Sequence, residues 1–257
     1  MRHLIKIIQK YFINFFESIG LFFSLMSKIF RSYKSWGIYA PMIPEQMYLL
    51  GITSIPIVIV TGLFSGMVTA VNGAHQLESG IVPAWYIGSI ITESVVLELG
   101  PMITGLVMTG KIGATIAAEI GTMRVSEQID ALESLSFDPV SFLIMPRIIA
   151  AAIMFPVLVI IADFFGILGG FVTAINSMDI TTHSFLQGAK AWFRAWDAIF
   201  GVIKGFFFGI AITSIASYFG FYSTGGAQGV GKSTTTTVIV SCITIVLLDY
   251  ILAEILL

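Results

Sequence analysis

"GAQGVGKSTTTTVIVSCITIVLLDYILAEILL", residues 226–257, can be read in two incompatible ways. Its first nine residues satisfy the Walker A pattern, with Lys232 and Ser233 where a phosphate-binding ammonium and a magnesium-binding hydroxyl would sit, and the apolar run ending in Asp249 imitates a Walker B strand. A P-loop, however, needs a strand that delivers a glycine turn to a helix N-terminus inside a β-α-β sheet. Here "SIASYFGFYS" precedes the glycines, an apolar stretch long enough to cross a bilayer follows them, and eight residues after Asp249 leave no room for a sheet. The match is therefore read as a glycine-rich cytoplasmic turn of about fifteen residues between two membrane helices.

Composition extends that reading to the whole chain. Of 257 residues, 56% are hydrophobic and 11% charged, with a mean hydropathy of +0.94; a soluble domain carries about 25% charge. The net charge of −2 points to no nucleic-acid partner, and the single Cys242 supplies neither a disulfide framework nor a metal site. His75 and His183 have no second ligand at metal spacing, so no metal is expected, and no Ser-His-Asp or Cys-His grouping can be read.

Ile52 to Ala74 is uncharged and spans roughly 35 Å as a helix, enough for a hydrocarbon core of about 30 Å. Four further spans are expected at Trp85 to Gly110, Ile148 to Ile175, Ile199 to Phe221 and Val238 to Leu256. Ahead of them, Leu4, Ile8, Phe12, Phe15, Ile19 and Phe22 alternate at helical spacing with Arg2, Lys6, Lys10, Glu17 and Lys28. That is a basic amphipathic helix for the membrane surface; no small-residue cleavage site follows, so it is not read as a signal peptide. The expected fold is an all-α integral membrane protein. It has an N-terminal interfacial helix within residues 1–40 and a five-helix transmembrane region over 50–257, together one domain. Six Lys and Arg precede the first span and none lies in the loop from His75 to Pro83, which places the N-terminus in the cytoplasm and the C-terminus in the periplasm.

"AEIGTMRVSEQIDALESLSFDP", residues 118–139, joins spans two and three on the cytoplasmic side. Val125, Ile129 and Leu132 share one helical face, while Glu127, Asp130 and Ser134 share another. Glu119, Glu127, Asp130 and Glu133 against one Arg124 would be repelled by anionic lipid, so this short helix is expected to dock a protein. Within the spans, Glu93, Glu98, Asp163, Lys204 and Asp249 each cost about 2.5–3.5 kcal/mol at a helix centre, so span two does not face bulk lipid alone. Glu98 precedes Gly100-Pro101, where proline opens the helix. Its carboxyl is either functional or bonded to a neighbouring helix, whereas Asp163, Lys204 and Asp249 are expected to be structural and to pair with each other. Gly62 and Gly66 permit a close helix approach.

The stretch "ELGPMITGLVMTGKIGATIAAEIGTMRVSEQIDALESLSFDPVSFLIMPR", residues 98–147, with "GGAQGVGKSTTTTV" and "LLDYILAEIL", closely resembles the MlaE/YrbE family, the permease subunits of MCE-type ABC phospholipid transporters. The resemblance runs from about Gly51 onward. It implies a homodimeric permease without cofactors in a bacterial inner membrane. The implied partners are a separate ABC ATPase subunit, a periplasmic MCE substrate-binding protein and, in some assemblies, a small regulatory subunit. The implied cargo is phospholipid, moved to maintain outer-membrane asymmetry. It also implies a lipid cavity at the dimer interface near Glu98, Leu99 and Pro101, with Gly62 and Gly66 on the face that lets the cavity change shape. The segment from Glu119 through Arg124, Glu127, Gln128, Asp130 and Glu133 to Leu135 would be the coupling helix that docks into the ATPase. Leu97 stands where relatives often carry a basic residue, Lys111 where Arg is commoner, and Lys232-Ser233 where Arg-Ala is usual; that last pair alone creates the Walker match. The rival reading is an ion-coupled secondary transporter using Glu98 and Asp163, which would show inverted repeats that the sequence lacks.

Overall fold

The computed structural model describes residues 2–31, 36–76, 83, 85–177 and 180–257, with backbone alone for residues 2–12, 14, 15, 30, 36 and 76. The amphipathic periodicity through Phe15 and the basic Lys34 therefore lie outside the described side chains. Among the described residues every regular element is helical. In chain order these are α1 (Arg2–Arg31), α2 (Trp36–Tyr39), α3 (Ile43–Leu50), α4 (Ile55–Gln76), α5 (Tyr86–Ser94) and α6 (Gly100–Met108). They continue with α7 (Ala114–Val125), α8 (Gln128–Ser134), α9 (Met145–Ser177), α10 (Thr182–Ala191), α11 (Ala195–Phe221) and α12 (Gly226–Leu256).

Five helical assemblies are long and apolar enough to cross a membrane: Gly37–His75, Tyr86–Val125, Val140–Ser177, Ala195–Phe221 and Gly226–Leu256. Their packing is that of a protein dissolved in lipid. On α9 the inward face mixes small residues, Ala151, Ala162, Gly166 and Gly170, with the large Phe155 and Leu158, while Ile153, Val157, Ile160 and Phe164 point outward. Where the small residues lie, backbones can approach closely, which is a principal source of helix association in lipid. The most extensive contact, α4 on α9, shows this directly. A Cβ on Gly62 would lie 2.7 Å from the Ala162 carbonyl oxygen, one on Gly66 would fall onto Gly166, and one on Gly169 onto Leu63. Hydroxyls inside the spans bond back to their own helices: Thr213 to Gly209 at 2.7 Å, Thr109 to Gly105 at 3.0 Å.

Helix α1 lies against the first turns of the third span and against α11, burying Leu25 and Ile29 and stacking Phe22 edge-on to Tyr218 at 5.8 Å. Phe16 and Phe23 remain exposed, as an interfacial helix requires.

The second and third spans reach further than their hydropathy suggests. Span two continues through α7 to Val125 rather than stopping near Gly110, and span three starts at Val140 rather than Ile148. Both contain π-helical turns, Val95–Leu99 and Thr109–Gly113 in the one, Val140–Ile144 in the other. Each of these lengthens the helix without ending it. A helix of about 40 residues is roughly 60 Å long, so it overhangs a hydrocarbon core of about 30 Å.

The fifteen-residue turn expected around Lys232 is not a turn. Helix α12 starts at Gly226, so the whole Walker match is helical and the connection shrinks to Tyr222–Gly225. Gly225 and Gly226, at φ 92° and 66°, make the reversal that a side chain would resist. A Cβ on Gly229 would strike the Thr224 carbonyl. The threonines do not melt the helix because Thr235, Thr236 and Thr237 donate to the carbonyls of Gly231, Lys232 and Ser233 at 3.1, 2.9 and 2.8 Å. The connection after span three is likewise partly helical. Helix α10, capped by Thr181 accepting from the Ser184 amide at 3.2 Å, seats Gly188 on the Trp85 carbonyl.

Candidate functional site

The turn Val95–Leu99 is π-helical, its Gly100 N–H bonded to the Val95 carbonyl five residues back, and Pro101, which follows, has no N–H to continue the ladder. Lys204 of α11 adds a donor beside this turn. Its ammonium is fully buried and donates to Leu97 O at 3.1 Å and to Glu98 Oε2 at 2.7 Å. Asp249 Oδ1 of α12 stands 2.7 Å from the same nitrogen, an ion pair without hydrogen-bond alignment. The Phe200 ring lies 4.6 Å away, beneath the cation. One lysine thus joins spans two, four and five through the π-turn of span two. Burying an ammonium is tolerable because two carboxylates, a carbonyl and an aromatic face surround it.

The expected mutual pairing of Asp163, Lys204 and Asp249 holds only for the last two. Asp163 is pressed against Gly100 and faces Gly201, its Oδ1 buried without a hydrogen-bond partner. The reason is register: α9 meets the Gly100 side of span two, and Lys204 reaches the other side.

Glu98 is the exposed member of the knot, its side chain 47% accessible. With Leu99 it lines an open cleft of about 640 Å³ between the C-terminal end of α4 and the N-terminal half of span two, shared with Thr69, Asn72, Glu93 and Ser94. Of the other residues expected at a cavity, Pro101 is buried beside Gly201, while Gly62 and Gly66 are committed to the α9 contact and do not line this cleft. Glu93 and Asn72 do line it, although neither was expected to. On an α-helix Glu93 and Glu98, five residues apart, would diverge by about 140°. The π-turn, bonded from one residue to the fifth beyond it, brings them to one cleft, and no sequence period signals it.

At the opposite end, α8 is held by Ile129, which is fully buried. Arg124 Nη1 bonds Asp130 at 2.6 Å across the α7–α8 corner, where Glu127 adopts a left-handed φ of 60°. Glu127, Gln128, Asp130 and Glu133 face solvent, with Leu135 and Phe137 exposed beside them at 69% and 47%. Glu119 does not join this face. It sits on α7 and pairs with Arg147 of α9 at 3.0 Å, while Arg147 also donates to the Leu143 carbonyl at 2.6 Å. Arg147 was not singled out from sequence, although a lone arginine opening an apolar run is a readable signal. Lys111, in the second π-turn, donates to the hydroxyls of Thr53 and Ser54 at 3.1 and 3.0 Å and so ties span two to the turn just before α4.

A family model described as Permease MlaE matches residues 43–255. The chain belongs to the MlaE permease family. The permease is 39% identical over 249 residues to a probable ABC transporter permease protein of Rickettsia prowazekii, covering 96% of this chain and 95% of that one. It is 38% identical over 210 residues to a probable ABC transporter permease protein of Synechocystis, covering 81% and 79%. It is 32% identical over 259 residues to the intermembrane phospholipid transport system permease protein MlaE of Haemophilus influenzae, covering 98% and 96%.

Proposed function

We propose that this permease is the membrane subunit of an ATP-driven transporter that moves phospholipid between a bacterial inner membrane and a periplasmic MCE partner, thereby maintaining outer-membrane lipid asymmetry. The observation that carries this reading is the 640 Å³ cleft beside the Lys204 knot, within the range of about 300–1,000 Å³ of sites that hold small ligands. Two copies facing each other as a homodimer would close their clefts into one lipid cavity near Glu98 and Leu99. The N-terminus and α8 lie on the cytoplasmic side, where the exposed acidic residues of α8 dock a separate ATPase subunit. The C-terminus lies on the periplasmic side. Nucleotide-driven movement of α8 reaches the cavity through spans two and three, whose π-turns and Gly100-Pro101 are the compliant points. Hydrolysis is assigned to that separate subunit, a reading supported by Lys232 lying in a helix that follows helix α11 rather than a strand.

The ion-coupled alternative loses support because Glu98 is engaged by Lys204. The test is reconstitution with the ATPase and MCE subunits. Lipid-stimulated hydrolysis and lipid transfer are expected, and charge reversal of Glu127 and Asp130 together should abolish ATPase binding. Retained binding, or hydrolysis indifferent to lipid, would refute the assignment.

A further inference from the structure

The cleft is electrically one-sided. Its lining side chains include two carboxylates, Glu93 and Glu98, the neutral polar groups of Thr69, Asn72 and Ser94, and no lysine or arginine. The nearest cation, Lys204, is wholly buried and faces two carboxylates at 2.7 Å each, so with all three ionised the knot retains one negative charge. Glu93 adds a second, in the open. The other outer-side cations, Lys190 and Arg194, do not line the cleft.

Low-dielectric helix walls on two sides make that sign count for more than in water. A headgroup whose charge is purely anionic meets two carboxylates and no compensating cation. A zwitterionic headgroup brings an ammonium that Glu93 and Glu98 can bind, while the Asn72 amide is a donor available to its phosphate. Building on the lipid-cavity reading above, we propose that this cleft selects phospholipids bearing a cationic amine, such as phosphoethanolamine, over anionic ones, with Glu93 and Glu98 as the selecting residues.

The test places the purified full-length permease in nanodiscs holding equal amounts of phosphatidylethanolamine and phosphatidylglycerol with identical acyl chains. Native mass spectrometry then identifies the lipid that stays bound once bulk lipid is stripped. Retained phosphatidylethanolamine should exceed phosphatidylglycerol by about threefold or more, the scale of one partly exposed charge contact. Glu93→Gln should move the ratio toward parity, and Glu93→Lys should invert it. Glu93 lies outside the Lys204 knot, so these variants leave the helix packing intact; Glu98→Gln is the companion whose effect should match Glu93→Gln. Retained lipid at the bulk ratio, an excess of phosphatidylglycerol, or a ratio unmoved by Glu93→Lys would overturn the selectivity while leaving the cavity standing. Failure to retain any lipid would overturn the cavity reading itself.

Discussion

Lys204 donates to the carbonyl oxygen of Leu97 at 3.1 Å, inside the π-turn that immediately precedes Pro101. A distorted helix turn and a buried charge, each costly in a membrane, thus meet at one point. The same ammonium holds Glu98 and Asp249.

Lys204→Met removes the shared cation and leaves Asp249, which is nearly buried, without a counter-charge. Breaking such a pair costs about 3–5 kcal/mol. Thermal unfolding in detergent should show a large fall in Tm, and adding Glu98→Gln with Asp249→Asn should restore part of it. Equal stability of Lys204→Met and wild type would mean the knot is not structural.

Gly66→Val would drive a side chain into the backbone of Gly166. Overpacking of this kind costs about 1–3 kcal/mol or more, and yield and Tm should both drop. Gly110→Ala, where a Cβ meets nothing within 4 Å, should leave both unchanged. If the two variants behaved alike, the α4–α9 contact would not be as close as described.

The Glu119–Arg147 pair is asymmetric, since the Arg147 side chain is 11% accessible and that of Glu119 49%. Arg147 Nε has no hydrogen-bond partner even with Glu119 present. Glu119→Leu strands a buried cation and should cost about 1–3 kcal/mol. Arg147→Met replaces that cation with an apolar side chain of similar reach and should stay within about 1 kcal/mol of wild type. Unfolding midpoints of the two single variants decide the order; the reverse order would contradict the burial.

Lys232→Ala should be silent. Lys232 is exposed on the first turns of α12, and surface substitutions usually stay within about 0.5 kcal/mol. Neither wild type nor variant, without an ATPase subunit, should bind a fluorescent ATP analogue. Binding lost in the variant would restore the P-loop reading of Gly226–Thr234.

Hydropathy located all five spans because a 20-residue apolar run has few ways to exist outside a bilayer. It misjudged their ends where polar residues continue a helix beyond the hydrocarbon, as from Lys111 to Val125, and where hydroxyls bond back into it, as from Thr234 to Thr237. Glu98 could be singled out by its cost in span two, and α8 by its acidic face. Glu93 and Asn72 could not be placed at the cleft, since a π-turn alters the helical period without a residue signature.

The composition, the run lengths and the distribution of charges by themselves determined that this chain is a five-span, all-helical membrane protein whose Walker match binds no sheet. They are sums over neighbouring residues, and the bilayer reads them one helix at a time. Only the tertiary structure decided that Lys204 answers Leu97, Glu98 and Asp249 while Asp163 is left aside, and that Gly62 and Gly66 serve packing with α9. Those choices depend on the rotation and depth of one helix against another, which side-chain volume and backbone approach settle and no single helix contains.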